Sequence, residues 1–542
     1  MKGTSMKNRI WCATVVMGLV LSGCGGGGEA DPDVEVNADA GAGLELAGTE
    51  WETATDRDGT LRIAGNLLMS SSDVHAAGTT VSTQYFNLLY DRLFWATVNG
   101  ELRGYLVKEW EFVPDGLELT LRDDAKFHDG SPIDAEAIKA NLDRARTAEF
   151  SAYQQALKAV TEIEVVNAQT VLIKTRKKSG ATLPYVLAGW AGMIMNPAFL
   201  DDPEVLRTSA PDGVGSGPYK IVSWTPGEDS VVFERVEGHW DSQAGQAARI
   251  EVQVVSDPAQ ALNAVATGQY HFAPFSSESA VDAAERADAA KDKLQTGELI
   301  PTLSIQALWM RDLVDPVVRE AISLALDRDA LLGQFRGGAA PVNQLFGEGH
   351  PAHTSAIDEF TVTDPERAME LLKDVPKEKK SVTMGYVEGG LATRLTQLVQ
   401  EQLAAVGIEV ELKAMTHTSV YPAWFQSQFD MALMGTAGPN HASTGIYAAL
   451  LRGGVNWGAP DSALPGIEAE LDRADDPALD EAERQGIYQG ILTDAAKEHW
   501  MLPFAQLYAT HLASTEVVNI DPAVPFQYQS LQDWRYVGLG AD

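Results

Sequence analysis

Short strand patterns alternate with capped helix patterns along this chain, and the alternation restricts the folds it can adopt. Three helix starts use the same dipeptide: Asp257-Pro258, Asp315-Pro316 and Asp364-Pro365. An aspartate side chain caps the free N–H groups of a first helical turn, and proline fits that turn because it has no N–H to leave unpaired. The first two of these helices are predicted to end near Gly268 and Gly333, since glycine favours helix ends.

Other segments continue the alternation. Two hairpins are predicted, at residues 161–175 and 219–236, because each pairs strand-like runs around a polar turn. Helices are predicted from Asp134 to about Ala148, over 392–406 and over 480–499, and strands at 61–64, 118–122, 249–255, 408–412 and 429–434. The fold class predicted from this pattern is mixed α/β.

The first residues have the pattern of a secretory signal peptide. Lys2, Lys7 and Arg9 precede an apolar run over residues 10–21, which is too short to span a bilayer but suits the core of a signal peptide. The run ends in Leu21-Ser22-Gly23-Cys24, which resembles the lipobox of bacterial lipoproteins. We expect residues 1–23 to be removed as the signal peptide.

Cys24 would then carry the lipid. The only other cysteine, Cys12, leaves with the signal peptide, so the mature chain has no free thiol. This suits an oxidising compartment. We predict an extracytoplasmic protein anchored to the cell membrane by lipidated Cys24, in the periplasm or on the outer face of the cytoplasmic membrane.

Residues 24–58 are predicted to form an acidic flexible tether behind the anchor. Residues 29–58 have ten acidic side chains and one basic side chain, Arg57. Such a segment has few large apolar groups to bury and repels itself, so it stays extended.

The charge of the whole chain excludes one class of partner. The net charge is −35, whereas binding to nucleic acid needs a basic surface. No G-x-S-x-G elbow, H-E-x-x-H helix or phosphate-binding loop is present, so the sequence favours a protein that is not an enzyme. We expect no cofactor and no metal centre.

A series of motifs, in the same order along the chain, resembles one known family. Residues 121–132 read LRDDAKFHDGSP, close to the family pattern LRxxxKFxDGxP, and residues 215–219 read GSGPY in place of GTGPY. Further matches are YDRL at 90–93, LVKEW at 106–110, RVEGHW at 235–240, VREAI at 318–322, LDR at 326–328, LAAVGIEV at 403–410 and FD at 429–430. The chain is identified by these motifs as similar to the extracytoplasmic solute-binding proteins of ABC importers, in the peptide/nickel class known as family 5.

The resemblance implies a two-lobed fold of the periplasmic-binding-protein type, with an extra subdomain and a ligand cleft between the lobes. Lobe I is expected to comprise residues 59–300 and 505–542, with 99–213 as the extra subdomain, and lobe II residues 301–504. Closure of the lobes would enclose a solute, and the closed form would be read by the ABC permease and ATPase complex. We expect a monomer.

Pocket residues are suggested by position in the family. Tyr85, Trp190 and Trp457 lie where relatives place pocket aromatics, and Trp309 and Arg311 follow the expected crossing between lobes. Arginine at such a place could hold a carboxylate or phosphate.

The segment 435–442 reads GTAGPNHA, and from it we take Thr436, Asn440 and His441 as candidate ligand-binding residues. Peptide-binding relatives have a tryptophan and two carboxylates there, of which one carboxylate holds the peptide ammonium; all three are absent here. A peptide is still the favoured solute. Nickel or another metal chelate, an oligosaccharide, a hydrolase and a signalling lipoprotein are the alternatives.

Overall fold

A computed structural model describes residues 53–76, 82–96, 102–151, 153–297, 299–311, 313–437, 441–450, 466–520 and 533–540. Contacts divide the chain into Met1–Asp39, in which no residue is described, and Ala40–Asp542, which contains all the described residues.

Helices and strands alternate, as the sequence predicts. In the described part of the chain, the helices are α1 (Ser82–Leu89), α2 (Ala135–Thr147), α3 (Leu183–Leu187), α4 (Pro203–Thr208), α5 (Pro258–Ala266), α6 (Glu278–Ala289), α7 (Pro316–Ala325), α8 (Arg328–Gly333), α9 (Pro365–Leu371), α10 (Gly390–Ala405), α11 (His417–Phe425), α12 (Ala442–Leu450), α13 (Ile467–Ala474) and α14 (Glu481–Lys497).

The strands in the same part of the chain are β1 (Thr60–Gly65), β2 (Phe94–Ala96), β3 (Leu102–Gly104), β4 (Val107–Val113), β5 (Gly116–Leu121), β6 (Val160–Asn167), β7 (Thr170–Thr175), β8 (Tyr219–Trp224), β9 (Ser230–Arg235), β10 (Arg249–Val254), β11 (Phe272–Ser276), β12 (Leu294–Thr296), β13 (Ile300–Met310), β14 (Ala339–Pro341), β15 (Ser381–Val387), β16 (Glu409–Met415), β17 (Met431–Ala437), β18 (Met501–Ser514), β19 (Val517–Val518) and β20 (Gly538–Leu539). Both predicted hairpins, β6–β7 and β8–β9, are confirmed.

The three predicted aspartate caps are confirmed. Asp257 accepts a hydrogen bond from the Ala259 N–H at 2.8 Å, and Asp315 and Asp364 accept from the N–H groups of Val317 and Arg367 at 3.0 Å each. The aspartates thereby satisfy N–H groups that the first turns of α5, α7 and α9 leave free.

The predicted end of the second of these helices, near Gly333, is wrong. The helix α7 ends at Ala325, and Leu326 has extended backbone angles. The next residue, Asp327, then accepts a hydrogen bond from the Ala330 N–H at 2.9 Å and begins the separate helix α8, which does end at Gly333. A second capping residue therefore divided what the spacing suggested was one helix.

One large sheet connects most of the strands. Its order is β16-β15-β17-β13-β18-β11-β1-β10-β9-β8, and β12 and β14 also pair with β18. Among the described strands, only β13 and β18 join the two halves of the strand order, because β17 pairs with β13 and β11 pairs with β18. The long strands β13 and β18 are therefore the connection between the N-terminal half of the sheet and the half built from β15, β16 and β17.

The buried cores are segregated in the same way. Two clusters draw only on residues 307–505, and they pack on the two faces of the half-sheet that contains β17. The other clusters use residues 61–294 and residues after 511. One of them, over residues 93–194, lies on a separate four-stranded sheet in the order β4-β5-β7-β6.

The C-terminal segment packs back onto the N-terminal half. The buried Arg535 is paired with Asp533 and donates to the Tyr105 hydroxyl at 2.7 Å. Tyr536 donates to Asp241 at 2.8 Å. A buried charge is tolerated only with such partners, so these contacts fix the position of residues 533–540.

Part of the segment assigned to the tether is also packed. The Ala54 N–H donates to Gln246 Oε1 and the Asp56 N–H to the Leu539 carbonyl, both at 3.0 Å. Arg57 donates to the Gly245 carbonyl at 3.1 Å. The folded part therefore includes residues 54–58, whereas Cys24 and residues 24–52 lie outside the described residues.

Candidate functional site

The strand β1 occupies the position where α/β sheets form ligand crevices. It lies between β10 and β11 and runs parallel to both. In open α/β sheets, ligands bind outside the carboxyl ends of the strands at a point where the strand order reverses. The carboxyl end of β1, at Gly65, is such a point.

Tyr85 attaches the first turns of α1 to that end of β1. Its hydroxyl donates to the Leu67 carbonyl at 2.7 Å. A Cβ atom added to Gly65 would lie 3.3 Å from the same hydroxyl oxygen, so glycine allows the close approach. The Tyr85 ring packs edge-on against Trp534 and is almost fully buried. Tyr85 thus links the helix to the end of the strand.

Trp190 lies against the same helix. Its indole N–H donates to the Thr83 hydroxyl at 3.0 Å, and its ring meets Phe86 edge-on with 5.4 Å between the ring centroids. The structure therefore brings two of the predicted site residues, Tyr85 and Trp190, to α1.

Trp309 and Arg311 lie near the C-terminal end of β13, one of the two strands that connect the halves of the large sheet. Trp309 is buried in one of the clusters of the C-terminal half. The Arg311 guanidinium donates to the Trp424 carbonyl and lies 4.2 Å from the Trp424 ring centroid, which is a cation–π arrangement. These contacts show Arg311 held by Trp424, and its contact with a solute remains a prediction.

His441 lies between aromatic residues of both halves. Its ring centroid is 4.2 Å from that of Tyr185 and 5.8 Å from that of Tyr488, and its Nδ1 accepts from the Ser443 N–H at 3.3 Å. Burial, reinforced by the charges of His350 and Arg484, lowers the pKa of His441 to about 3. The imidazole is therefore neutral at physiological pH.

The remaining predicted residues cannot be placed by their side chains. Asn440 and Trp457 lie outside the described residues, as does Cys24. Thr436 is described through its backbone, which pairs with Ile305 in β17–β13.

A set of contacts that the sequence did not predict joins the extra subdomain to α13. The Asp475 carboxylate accepts from the Gly180 N–H at 2.9 Å, and from the Thr182 N–H at 3.0 Å and hydroxyl at 2.7 Å. Lys158 pairs with Asp472 at 3.4 Å. These bonds cross between the two groups of cores described above.

The sequence contains one indication of this contact. Asp475 and Asp476 follow the last residue of α13. Acidic side chains at a helix C-terminus are unfavourable next to the negative end of the helix dipole. Such a placement indicates a partner elsewhere in the chain, but it does not say which one.

The described residues contain neither a metal-binding cluster nor a membrane-spanning helix. Within the described ranges, no group of three or more His, Cys, Asp or Glu side chains is placed to hold a metal ion. In the same ranges, no helix is long and apolar enough to cross a membrane.

Comparison with known proteins decides the family. The sequence profile of bacterial extracellular solute-binding proteins, family 5 Middle, matches residues 101–457. The chain belongs to this family.

Relatives of this family 5 protein include the glutathione-binding protein GsiB of Salmonella paratyphi A. It is 28% identical over 361 residues, which cover 63% of this chain and 67% of GsiB. Among solved structures, DppA of Helicobacter pylori with the peptide STSA is similar at a TM-score of 0.77, with 17% identity over 90% of this chain and 99% of DppA. NikA of Brucella suis with Fe(III)-EDTA gives a TM-score of 0.74, with 22% identity over 89% of this chain and 100% of NikA.

These comparisons confirm several predictions made from the motifs. The fold is that of the periplasmic binding proteins of this family. The family 5 protein is a substrate-binding protein of an ABC importer, it acts outside the cytoplasm, and it is not an enzyme.

Proposed function

We propose that this family 5 protein captures a peptide between two lobes and delivers it to its permease. The observation that carries the peptide assignment is the sequence match to GsiB, which is 28% identical over 361 residues. Glutathione, which GsiB binds according to its name, is itself a small peptide. The solute of DppA is also a peptide.

The lobes are proposed to follow the division of the cores. Lobe I comprises residues 54–300 and 505–542, with the subdomain at 99–213, and lobe II comprises 301–504. Support comes from the buried clusters, which follow these boundaries except at Ala505. Further support comes from β13 and β18, which alone among the described strands join the halves of the large sheet. Two connecting strands allow hinge closure around a ligand.

The proposed pocket is formed by residues of both lobes. From lobe I it takes Tyr85 and Trp190, which meet at α1. From lobe II it takes Trp309, Arg311 and the 436–457 segment, with Thr436, Asn440, His441 and Trp457. Aromatic walls with few polar groups suit a site that encloses a small solute.

The proposed anchoring rests on the sequence. Residues 1–23 are the signal peptide, and Cys24 carries the lipid that holds the protein to the membrane. Residues 25–53 would then be the acidic tether that keeps the lobes away from an anionic membrane surface. We propose that the protein is monomeric.

A thermal-shift experiment tests the proposed solute class. The purified mature chain, from Cys24 onward, is heated with glutathione, unrelated tripeptides, oligosaccharides, Ni–histidine or Fe(III)-EDTA. A solute at 100 times its Kd stabilises the native state by about 2.7 kcal/mol, so the midpoint should rise with one or more peptides. A rise with the chelates or sugars alone would contradict the peptide assignment.

A further inference from the structure

The helix α1 contains buried polar atoms that the described residues leave unpaired. Within the part of the chain that the structure describes, Gln84 Nε2 and both polar atoms of the Asn87 side chain, Nδ2 and Oδ1, have no hydrogen-bond partner. Gln84 is 2% exposed and Asn87 is fully buried, so bulk water does not satisfy these atoms either. An unpaired buried amide is costly, and such groups in native proteins usually have an occupant such as water or a ligand.

The unpaired groups share one face of the helix. Successive residues of an α-helix are about 100° apart, which places Thr83, Gln84 and Asn87 together. Thr83 is paired with the Trp190 indole at 3.0 Å. The unpaired amides therefore lie next to a residue of the proposed pocket.

The same helix is attached to the carboxyl end of β1. The Tyr85 hydroxyl, bonded to the Leu67 carbonyl, fixes the turn that carries Gln84. This is the end of the sheet at which the strand order predicts a ligand crevice. The position of α1 at the carboxyl end of β1 and the unpaired atoms of Gln84 and Asn87 are independent observations. Both indicate a ligand site beside α1.

Asn141 is a buried asparagine whose side-chain amide is hydrogen-bonded at both polar atoms. Asn141 is also fully buried, and its Nδ2 donates to the carbonyls of Ala137 at 2.9 Å and Met195 at 2.7 Å. Its Oδ1 accepts from the Met195 N–H at 3.0 Å. The described residues therefore pair both polar atoms of the Asn141 side chain, in contrast to those of Asn87.

We propose that Gln84 and Asn87 form a subsite that hydrogen-bonds an uncharged group of the solute having both a donor and an acceptor. This inference rests on the proposed solute-binding function. Asn87 Nδ2 can donate to a carbonyl while Oδ1 accepts from an N–H, so a peptide bond would satisfy both atoms, and Gln84 Nε2 adds a second donor.

The paired donor and acceptor of Asn87 exclude a carboxylate or chelate oxygen as the bound group, and they leave a peptide bond or a sugar hydroxyl. A carboxylate or a chelate oxygen accepts only, so it would leave Asn87 Oδ1 unpaired. A sugar hydroxyl donates and accepts, as a peptide bond does. The peptide and oligosaccharide arms of the experiment separate these two sources.

The decisive variant is Asn87→Leu, because leucine has the same number of side-chain heavy atoms without the polar groups. We expect the ligand-free variant to melt at least as high as the wild type, since an unpaired amide is replaced by an apolar group. We expect its Kd for glutathione, or for the tripeptide that stabilises the wild type, to rise about tenfold or more. Gln84→Met should raise the same Kd less.

Asn141→Leu is the matched control. It removes a fully paired buried amide and strands its partners, so it should lower the melting temperature and leave the peptide Kd unchanged. Asn87→Asp keeps the shape but replaces the donor with a charge; it should lose peptide binding as Asn87→Leu does.

Each outcome decides the inference. An unchanged peptide Kd for Asn87→Leu, with or without a higher melting temperature, would mean that Asn87 holds water alone and would overturn the inference while leaving the proposed function intact. A tenfold loss confined to oligosaccharides would support the subsite and assign it to a hydroxyl. If the wild type binds none of the probes, the proposed function fails, and the inference that rests on it fails too.

Discussion

The Asp475 carboxylate accepts two hydrogen bonds from Thr182, from its N–H at 3.0 Å and from its hydroxyl at 2.7 Å. The Asp475 carbonyl also accepts from the Ala181 N–H at 3.0 Å. Asp475 follows α13 in the proposed lobe II, whereas Thr182 immediately precedes α3 in the extra subdomain of lobe I. The contact therefore links the two proposed lobes and stabilises the arrangement in which they touch.

We predict that Asp475→Ala weakens solute binding by destabilising the closed arrangement. Closure and binding are coupled, so a loss of closed-state contacts raises the apparent Kd. Three hydrogen bonds to one carboxylate are lost, and we expect the Kd to rise about tenfold, measured by calorimetry with the stabilising peptide.

Asp472→Ala is the control for this change. Asp472 pairs with Lys158 at 3.4 Å and lies 3.9 Å from Arg176, and all three side chains are partly exposed. Exposed ion pairs contribute little, so the Kd should change less than threefold. Equal effects of the two substitutions would show that general charge, rather than the Asp475 contact, controls closure.

The local features of this fold could be predicted from sequence, whereas this contact could not. Helix caps at Asp257 and Asp364 depend on residues within a turn, and the motifs depend on short spacings, so a local stretch of sequence is enough to predict both. Asp475 and Thr182 are 293 residues apart, and no local pattern encodes their meeting. The unpaired state of Asn87 is likewise a property of its surroundings in three dimensions.

Position in the family is a limited guide to the site. It predicts Tyr85 and Trp190, which the structure brings to α1. It also predicts Arg311, whose guanidinium lies on the ring of Trp424. Position along the chain specifies which segment a residue occupies, but the direction of its side chain follows from packing.

Buried neutral histidines should make the protein sensitive to acid. Burial lowers the pKa values of His75, His441 and His511 to about 3 each, below the ordinary value of 6.5. Below pH 6.5 the unfolded chain binds protons that the folded chain does not, so stability is lost as the pH falls toward the folded pKa. Each histidine contributes a loss of up to about 1.4 kcal/mol per pH unit.

Urea unfolding between pH 7.5 and pH 4.5 measures this loss. The unfolding free energy of His511→Gln should depend less steeply on pH than that of the wild type. The difference in slope corresponds to the one proton that His511 binds on unfolding, because glutamine does not titrate. His511 suits the test because burial alone accounts for its low pKa. An unchanged slope for His511→Gln would contradict a lowered pKa of His511 in the folded protein.

A buried carboxylate, Asp91, should be essential for the stability of lobe I. Its Oδ2 accepts from the Trp240 indole at 2.6 Å and faces His239 Nε2 at 3.1 Å. Asp91→Ala strands both partners, and we expect a loss of about 3 kcal/mol in the free energy of unfolding. Asp123→Ala, at an exposed pair with Lys108, is the control and should leave that free energy nearly unchanged, because exposed ion pairs contribute little to stability.

The same site has a pH dependence of opposite sign. Burial disfavours the His239 cation, but the charge and hydrogen bond of Asp91 outweigh it and raise the pKa of His239. This stabilisation is fully present below the unfolded pKa of about 6.5 and is lost as the pH rises through the folded pKa. An NMR titration should find the His239 pKa above 6.5 in the wild type and lower in Asp91→Asn.

Substitution of Arg311 separates packing from solute binding. Arg311→Ala removes the bond to the Trp424 carbonyl and the contact with its ring, so the melting temperature should fall by a few degrees. If Arg311 also holds a solute carboxylate, the Kd of an anionic peptide such as glutathione should rise more than that of its amidated form. Equal changes in the two Kd values would assign Arg311 to packing alone.

The anchor assignment predicts where the protein is found after cell fractionation. Cys24→Ala removes the thiol that would receive the lipid, so the protein should move from the membrane fraction to the soluble fraction. Cys12→Ser is the matched control, because Cys12 lies in the apolar run that is removed with the signal peptide, and this variant should stay with the membrane. Immunoblots of the two fractions, with mass spectrometry of the mature N-terminus, measure both variants. Retention of Cys24→Ala in the membrane fraction would contradict lipid anchoring, and an unmodified Cys24 in the wild type would do the same.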